Sequence, residues 1–330
     1  MEDGYNKSLD VAKGIAIILV VLGHSLTGDI FNSDTIIDVA ANIIFDFVYS
    51  FHMPVFFAIS GYLFYNAWNL SRRGTIKKKA LRLLIPYITF SVIYIPLRMI
   101  ASAMAYSTYD SQYWKILFGI SPNGGVWYLY TLFIFMLGTF YCVKPDKLHI
   151  FLITAFLLSV VFQLGFSFSD VIHNAAPRLL DVCRFYCYFL LGLYVKKNSR
   201  LEKVIAQDKF IPAEFCFFII LFVLKEIFAL LFLTVPVALL GVLLTIQFSR
   251  KIKHSAALAW LGANSMDIYL LHGPVAVVLR TLLIRGGVNK ICIAVGLFAG
   301  GILISALISK FILHRFKIIQ FLCTGVWRKA

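Results

Sequence analysis

The segment LDVAKGIAIILVVLGHS, residues 9–25, combines a long apolar run with three ionisable side chains, those of Asp10, Lys13 and His24. Lys13 and His24 are eleven positions apart, about three turns of α-helix, so one helix face presents both side chains about 16 Å apart. Asp10 lies one turn before Lys13 and can pair with it. A histidine titrates near neutral pH and can take a proton from a hydroxyl, whereas a lysine attracts anions. The stripe therefore suits a long, thin ligand with an anion near Lys13 and a reacting group near His24.

Both residues also have ordinary structural explanations. Lys13 can extend its ammonium group to the inner headgroups of a bilayer. His24 can be satisfied by a hydrogen bond from a neighbouring helix. Their position on one stripe favours chemistry, because ionisable groups within apolar spans are costly and mark functional or paired positions.

The composition predicts the architecture that must position these residues. Of 330 residues, 60% are hydrophobic and 14% are charged, far from the values of an average soluble domain. Continuous apolar runs of about 20 residues recur along the chain, which indicates membrane-spanning helices and not barrel strands. We expect an all-α integral membrane protein, a single polytopic domain over residues 1–330 built as a bundle of about ten transmembrane helices. The spans are placed near residues 9–27, 43–65, 83–106, 126–143, 149–167, 178–195, 210–231, 235–249, 258–281 and 291–313.

The formal net charge of +15 does not point to nucleic acid, because the basic residues gather in alternate loops. The loops SRRGTIKKKALR, KPDK, KKNSRLEK and RKIKH are rich in Lys and Arg, while GDIFNSDTIID has neither. The positive-inside rule therefore predicts that both termini are cytoplasmic. Arg285 and Lys290 in the last outer loop are the exception. We expect a multi-pass protein of the bacterial cytoplasmic (inner) membrane, with the lipid bilayer as its surroundings and no signal peptide that is removed.

Other common chemistries are not supported by the motifs. The six cysteines form no CxxC pair, and the seven histidines show no HxxxH or HExxH spacing, so we expect no metal site. The sequence AISGYL around Ser60 lacks the first glycine of a nucleophile elbow.

Further polar residues within the spans are candidates for the walls of a site. His52 precedes Pro54, which should bend the second span; a structural hydrogen bond is the alternative role for His52. Asp181 and Arg184 are three positions apart and can pair. Interhelical hydrogen bonding and a functional role are both open for the polar residues of the ninth span, which are Asn264, Asp267, Tyr269 and His272.

Five segments, in order along nearly the whole chain, resemble motifs of the membrane acyltransferase-3 family. They are LDVAKGIAIILVVLGHS (9–25), SFHMPVFFAISGYLF (50–64), KALRLLIPY (79–87), GGVWYLYTLF (124–133) and LGANSMDIYLLHGPV (261–275). The His-Met-Pro form of the second segment looks most like the branch that includes fucose and other sugar O-acetylases. The resemblance implies a multi-span O-acyltransferase that moves an acyl group, usually acetyl from acetyl-coenzyme A, to a hydroxyl of a cell-surface or lipid-linked carbohydrate.

The resemblance also implies roles for individual residues. The critical basic residue of the family corresponds to Lys13, its critical histidine to His24, and the basic pair that opens the third span to Lys79 and Arg82. Lys stands at 13 and 79 where many members have Arg, and lysine lacks the bidentate fork for phosphate. Acyl-coenzyme A is expected as a co-substrate, with no permanently bound cofactor. A carbohydrate or glycolipid is the expected acceptor.

On this hypothesis Lys13 guides the head of the pantetheine arm of coenzyme A, and a basic cluster receives the nucleotide phosphates, although ordinary positive-inside topology explains most of its charge. The cluster consists of Arg72, Arg73, Lys77, Lys78, Lys79 and Arg82. His24 then activates the acceptor hydroxyl or first takes the acyl group itself. We expect a polar cavity between the first, second and ninth spans, with His52 and His272 on its walls and Asp10, Asn264 and Asp267 in support. The donor would enter from the cytoplasm and the acyl group would leave toward the outer face.

Two other classes of protein share some of these features. A transporter or flippase for a lipid-linked saccharide also has many spans with buried charges. Its usual mark is an inverted repeat with matching broken helices, and the sequence shows none. A ligand-sensing membrane domain is the third interpretation, although it would not need a catalytic histidine.

Overall fold

The computed structural model describes residues 2–27, 30–31, 35–68, 72–105, 126–164, 177–207 and 209–327. Helices dominate these residues, which include no β-strand, as the continuous apolar runs predict. In chain order the α-helices are α1 (Glu2–Ser25), α2 (Ile36–Tyr49), α3 (His52–Trp68), α4 (Arg72–Ala105), α5 (Trp127–Cys142), α6 (Leu148–Gln163), α7 (Pro177–Lys197), α8 (Ser199–Ile205), α9 (Ile211–Phe228), α10 (Thr234–Lys251), α11 (Ala256–Ala263), α12 (Ser265–Arg285), α13 (Lys290–Ile308) and α14 (Lys317–Thr324).

Seven helical stretches within the described ranges are long and apolar enough to cross a membrane. They are Lys7–Ser25, Ile36–Trp68, Gly74–Leu97, Pro145–Gln163, Leu231–Lys251, Ser265–Arg285 and Lys290–Leu313. Three more predicted spans coincide with α5, which has 16 residues, and with α7 and α9, whose apolar runs are interrupted by charged side chains. The count of ten spans and the cytoplasmic placement of the termini stay predictions.

Two predicted spans are each built from two helices. The span near 43–65 breaks between α2 and α3, and Pro54 occupies the first turn of α3, where a proline has no helical hydrogen bond to lose. The span near 258–281 breaks at Asn264, so that the long apolar helix begins only at Ser265 and continues to Arg285.

The described residues within 1–16, 49–77 and 131–263 form one compact unit, called unit 1. Its central feature is the crossing of α3 and α7. A Cβ atom at Gly61 would overlap the carbonyl oxygen of Phe189, and one at Gly192 would overlap the carbonyl oxygen of Ala58. Glycine at both positions therefore lets the two backbones touch, which is how helices gain close packing in lipid.

The described residues within 17–48, 78–130 and 264–330 form the second compact unit, called unit 2. Here α12 packs along α13, and an apolar cluster joins α13 to α2 and to the end of α1; its members include Leu26, Phe31, Ala41, Ala294 and Leu297.

An ion pair lies beside this apolar cluster. Lys290 Nζ donates to both carboxylate oxygens of Asp38 at 2.7 Å. Asp38 is fully buried and also exchanges hydrogen bonds with Thr35, which precedes α2, an arrangement that caps the helix start. One of the two basic residues that depart from the positive-inside pattern, Lys290, is thus neutralised by a buried carboxylate.

Candidate functional site

The imidazole rings of His24 and His272 meet in unit 2. His24 is in the last turn of α1, and the centroid of its ring lies 5.1 Å from that of His272 in α12. The two residues differ in environment, because His24 is exposed while His272 is 3% exposed. The accessible imidazole of His24 therefore packs against the shielded imidazole of His272.

The hydrogen bond of His272 fixes which of its ring nitrogens carries the proton. Its Nδ1 lies 3.1 Å from the carbonyl oxygen of Ile268, and a carbonyl oxygen can only accept. Nδ1 is therefore the protonated nitrogen of the neutral ring, and Nε2 keeps its lone pair. This assignment makes His272 a hydrogen-bond acceptor in its neutral form.

Aromatic side chains extend from His272 along α12. The ring of Tyr269 lies 5.9 Å from that of His272 and 5.7 Å from that of Tyr128. The backbone N–H of Tyr128 donates to the Tyr269 hydroxyl at 3.3 Å, which ties the start of α5 to α12. The hydroxyl of Tyr94 in α4 sits where a Cβ of Gly273 would be. Glycine after His272 therefore leaves room for the Tyr94 hydroxyl.

Asp10 and Lys13 form the ion pair that their spacing predicts. Lys13 Nζ lies 2.7 Å from Asp10 Oδ1, and both side chains are partly exposed. In unit 1 the backbone of α1 touches that of α11 at this level. A Cβ on Gly14 would overlap the carbonyl oxygen of Leu258, and one on Gly262 would overlap that of Asp10. The two glycines thus fix the backbone that carries Lys13.

The basic pair of α4 lies near the C-terminal segment of the chain. Lys79 is half-buried and Arg82 is exposed. Gly325, which follows α14 with a φ of 63°, packs against the carbonyl oxygen of Leu81 and the Cα of Arg82. The structure describes the backbone of Arg72 and Arg73, which belong to the predicted basic cluster, but not their side chains.

The hydrogen bonds described for Asp267 do not involve His24 or His272. They form a separate polar cluster. Asp267 Oδ2 accepts from Ser309 Oγ at 2.6 Å and lies 2.8 Å from His314 Nε2. Ser309 begins a π-helical turn, Ser309–Leu313, a feature that is frequent at functional sites. Burial, and then the negative charge of Asp267, raise the pKa of Cys323 in α14 to about 11.

His52 lies in unit 1, where it is buried and its ring meets the ring of Tyr49 edge-on at 4.7 Å. Asn264 is the residue between α11 and α12, and its side chain does not cap α12. Among the described residues, no group of three or more His, Cys, Asp or Glu side chains is arranged to hold a metal ion. The cavity expected between the first, second and ninth spans stays a prediction.

Comparison with known proteins decides the family. The acyltransferase-3 family, described as an acyltransferase domain, matches residues 6–310. The chain belongs to this family. A nodulation protein NolL of Mesorhizobium japonicum is 28% identical over 183 residues, which are 54% of this chain and 46% of that protein. A NolL of Sinorhizobium fredii is 51% identical over 57 residues, which are 17% of this chain and 15% of that protein.

The chain spans less than half the length of these curated relatives in either match, and no solved structure matches it. The resemblance inferred from five motifs is confirmed, because the family match includes all five segments. Together with the seven apolar helices, membership makes this acyltransferase-3 chain a multi-pass membrane protein.

The sequence did not single out Ser309, His314 or Tyr94. Ser309 and His314 are 42 and 47 positions from Asp267, so no local spacing connects them. The only signal available was the pairing rule for ionisable groups near a span, which demands a partner for Asp267 but does not say which.

Proposed function

We propose that this acyltransferase-3 chain is a membrane O-acyltransferase in which His24 is the catalytic base. The observation that carries the proposal is the contact of an exposed His24 ring with a buried His272 ring at 5.1 Å. An accessible base can reach a substrate hydroxyl, and a shielded neighbour can hold its ring in one orientation and tautomer.

In this proposal the tautomer of His272 determines which ring nitrogen of His24 carries the proton. Nδ1 of His272 donates to the Ile268 carbonyl, so its Nε2 can accept an N–H from His24. The other nitrogen of His24 is then unprotonated and takes the proton of the acceptor hydroxyl. As the hydroxyl oxygen attacks the thioester carbonyl, a C–O bond forms, the C–S bond breaks, and the imidazolium returns the proton to the leaving thiolate.

The donor of the proposal is an acyl-coenzyme A, and acetyl-coenzyme A in the first instance. Lys13 would guide the donor in unit 1, where its side chain is partly exposed. In unit 2, Lys79 and Arg82 are the phosphate ligands that the family motifs imply. Asp10 would hold the ammonium group of Lys13 in place through the 2.7 Å ion pair. An exposed pair of this kind contributes at most about 1 kcal/mol to stability, so its role is orientation.

The acceptor of the proposal is a hydroxyl of a cell-surface or lipid-linked carbohydrate. The positive-inside rule predicts that the start of α1 lies on the cytoplasmic side, which is where coenzyme A is found in a bacterial cell. His24 ends the same helix, about 16 Å further along the axis than Lys13. The acyl group would therefore be taken from the cytoplasm and delivered toward the outer face of the inner membrane.

The test uses the purified chain in liposomes that contain the lipid and glycan fraction of the host membrane. Labelled acetyl-coenzyme A is supplied, and both thiol release and label in the acceptor fraction are measured. We expect His24→Ala to lose about 10²- to 10⁴-fold in turnover with unchanged thermal unfolding, since its side chain is exposed. Transfer by His24→Ala at the wild-type rate would remove His24 from the chemistry.

The donor site is tested with substitutions of Lys13 in the same assay. Lys13→Ala should raise the donor KM, whereas Lys13→Arg should keep transfer because it keeps the cation. A Lys13→Arg variant as impaired as Lys13→Ala would show that charge is not the requirement. Movement of saccharide without acyl transfer would identify a flippase instead.

A further inference from the structure

A cavity of about 260 Å³ with both polar and apolar walls opens in unit 1, and nothing in the proposed chemistry uses it. Helices α6, α7 and α10 and the junction of α2 with α3 form its walls. The polar residues among its lining are Tyr49, Ser50, Gln163, Arg184, Tyr188 and Thr234, and the apolar ones are Pro54, Phe185, Leu231 and Ala238. Together these residues define the Arg184 cavity.

Arg184 is the charged residue of the cavity, and its guanidinium has hydrogen-bonding capacity to spare. Its Nε is buried and has no hydrogen-bond partner in the part of the chain that the structure describes. A cation within a predicted span is costly and indicates a functional position unless it is paired. Because Nε is shielded, a ligand in the cavity would meet the terminal nitrogens of the guanidinium, which together can take both oxygens of a carboxylate or phosphate.

The backbone around Arg184 is held by a chain of hydrogen bonds. Ser159 of α6 is fully buried and donates from Oγ to the carbonyl oxygen of Arg184 at 2.8 Å. Gln163 Nε2 donates to the same Oγ at 3.0 Å, which fixes the amide of Gln163 at the cavity wall. The cavity is therefore bounded by side chains that are already oriented.

A second lining residue, Tyr49, is also held by packing. Its ring meets the ring of the buried His52 in a T-shaped contact, with the ring centroids 4.7 Å apart. Ser50 and Thr234 add hydroxyl groups to the lining. A ligand in the cavity would meet one guanidinium, one amide and several hydroxyls, a set that binds an anion together with ligand hydroxyls.

Chain direction predicts that the cavity belongs to the outer half of the membrane. Helix α7 ends at Lys196 and Lys197, on the side that the positive-inside rule assigns to the cytoplasm. Arg184 lies 13 residues before Lys197, about 20 Å along the helix and past the middle of a roughly 30 Å core. Ligands that come from outside would therefore have the shorter path.

We propose that the Arg184 cavity binds the anionic group of the acyl acceptor, a phosphate or a carboxylate, with the adjoining hydroxyls of a single sugar residue. The identification of the ligand as the acceptor rests on the proposed O-acyltransferase function. The volume is near the lower end of the range for small-ligand pockets, about 300–1,000 Å³, so one ring fits and an oligosaccharide does not. Arg184 then selects acidic or phosphorylated acceptors over neutral ones.

The test is binding by the purified full-length chain in detergent micelles, followed by calorimetric titration with three probes. Sodium glucuronate carries its anion on a sugar, farnesyl phosphate carries it on a lipid, and glucose carries none. We expect at least one anionic probe to bind about tenfold or more tightly than glucose, and Arg184→Gln to weaken that binding about tenfold or more. Arg200→Gln removes the same charge from an exposed position of α8 in unit 1 and should leave binding unchanged.

The pattern of binding distinguishes the two sources of the anion. Binding of glucuronate alone assigns it to the sugar, and binding of farnesyl phosphate alone assigns it to a lipid carrier. Binding of neither anion, or equal binding by wild type and Arg184→Gln, overturns the inference. Should Arg184→Gln fail to purify, Arg184→Lys and Gln163→Leu are used, which should each weaken binding at least about twofold; unchanged affinity in both overturns the inference.

The binding assay contains no acyl donor, so its failure is separate from failure of the proposed function. His24→Ala should bind the anionic probe as the wild type does. Acyl transfer that proceeds in wild type but is insensitive to Arg184 overturns only the cavity assignment. Anion binding without any acyl transfer by the wild type overturns only the O-acyltransferase.

Discussion

Replacing His272 by phenylalanine tests whether the buried imidazole acts through His24. Phenylalanine keeps a ring at the contact with His24 and Tyr269 and removes both ring nitrogens. In the wild type, His272 Nδ1 donates to Ile268 at 3.1 Å, and Nε2 is the acceptor proposed for His24. The substitution therefore separates the polar role of His272 from its packing role.

The expected size of the effect follows from the charge that His24 gains. When His24 takes the proton of the hydroxyl it becomes an imidazolium, and a hydrogen bond to a charged group contributes about 1.5–3 kcal/mol. Loss of that bond should lower turnover about 10- to 150-fold. The lost bond to Ile268 is a neutral one and should cost about 1 kcal/mol of unfolding free energy. The donor KM should not change, because His272 makes no proposed contact with coenzyme A.

A double-mutant cycle with His24→Ala supplies the decisive comparison. If His272 acts only through His24, adding His272→Phe to His24→Ala should cause no further loss of turnover. The coupling energy between the two sites should then equal the effect of His272→Phe alone. Turnover is measured as label transferred from acetyl-coenzyme A, which is sensitive enough for the slow variants. The matched control is His149→Phe, because His149 is an exposed histidine of α6. If the double variant lost turnover by the product of the two single-variant losses, His272 would act independently of His24 and the reasoning would be refuted.

Three further outcomes are expected. Cys292 is exposed at the predicted outer end of the span 291–313, and Cys142 is exposed at the predicted cytoplasmic end of the span 126–143. A membrane-impermeant maleimide added to intact cells should therefore label Cys292 and not Cys142; the reverse pattern would contradict the cytoplasmic placement of the basic loops. Gly61→Ala should lower unfolding free energy by about 3 kcal/mol or more because the added Cβ meets backbone, whereas Gly74→Ala, which meets nothing within 4 Å, should not destabilise; equal thermal unfolding of the two would contradict the crossing of α3 and α7. Lys290→Met should lower unfolding free energy by about 1–3 kcal/mol, since it removes the cationic partner of a buried carboxylate; an unchanged thermal midpoint would show that the ion pair contributes nothing.

Local rules explain what could be predicted from the sequence. The helical fold follows from apolar runs of membrane-spanning length. The pairing of Asp10 with Lys13 follows from a spacing of one turn, and the structure places the two atoms 2.7 Å apart. Membership of the acyltransferase-3 family follows from motifs that are contiguous in the chain. Each of these depends on residues within a few turns of one another.

The parts that could not be predicted depend on contacts between distant segments. His314 lies 47 positions from Asp267, and periodicity within α12 carries no information about the turn that follows α13. The breaks at Ser50 and at Asn264 are similar, because a hydrophobic pattern continues across both and the interruption is set by packing, such as that of Gly262 on the backbone of α1. Hydropathy measures how apolar a stretch is and not whether one helix or two traverse it.

The ion pair between Asp38 and Lys290 has a consequence for the order of events during synthesis. The two residues are 252 positions apart, and ribosomes add about 5–20 residues per second. Asp38 therefore leaves the ribosome about 13–50 s before its partner does. Throughout that interval its carboxylate lacks the ammonium group of Lys290, and burying the charged carboxylate without that cation is costly. The ion pair that holds the start of α2 can form only after the start of α13 has been synthesised, so this part of unit 2 is among the last to be completed.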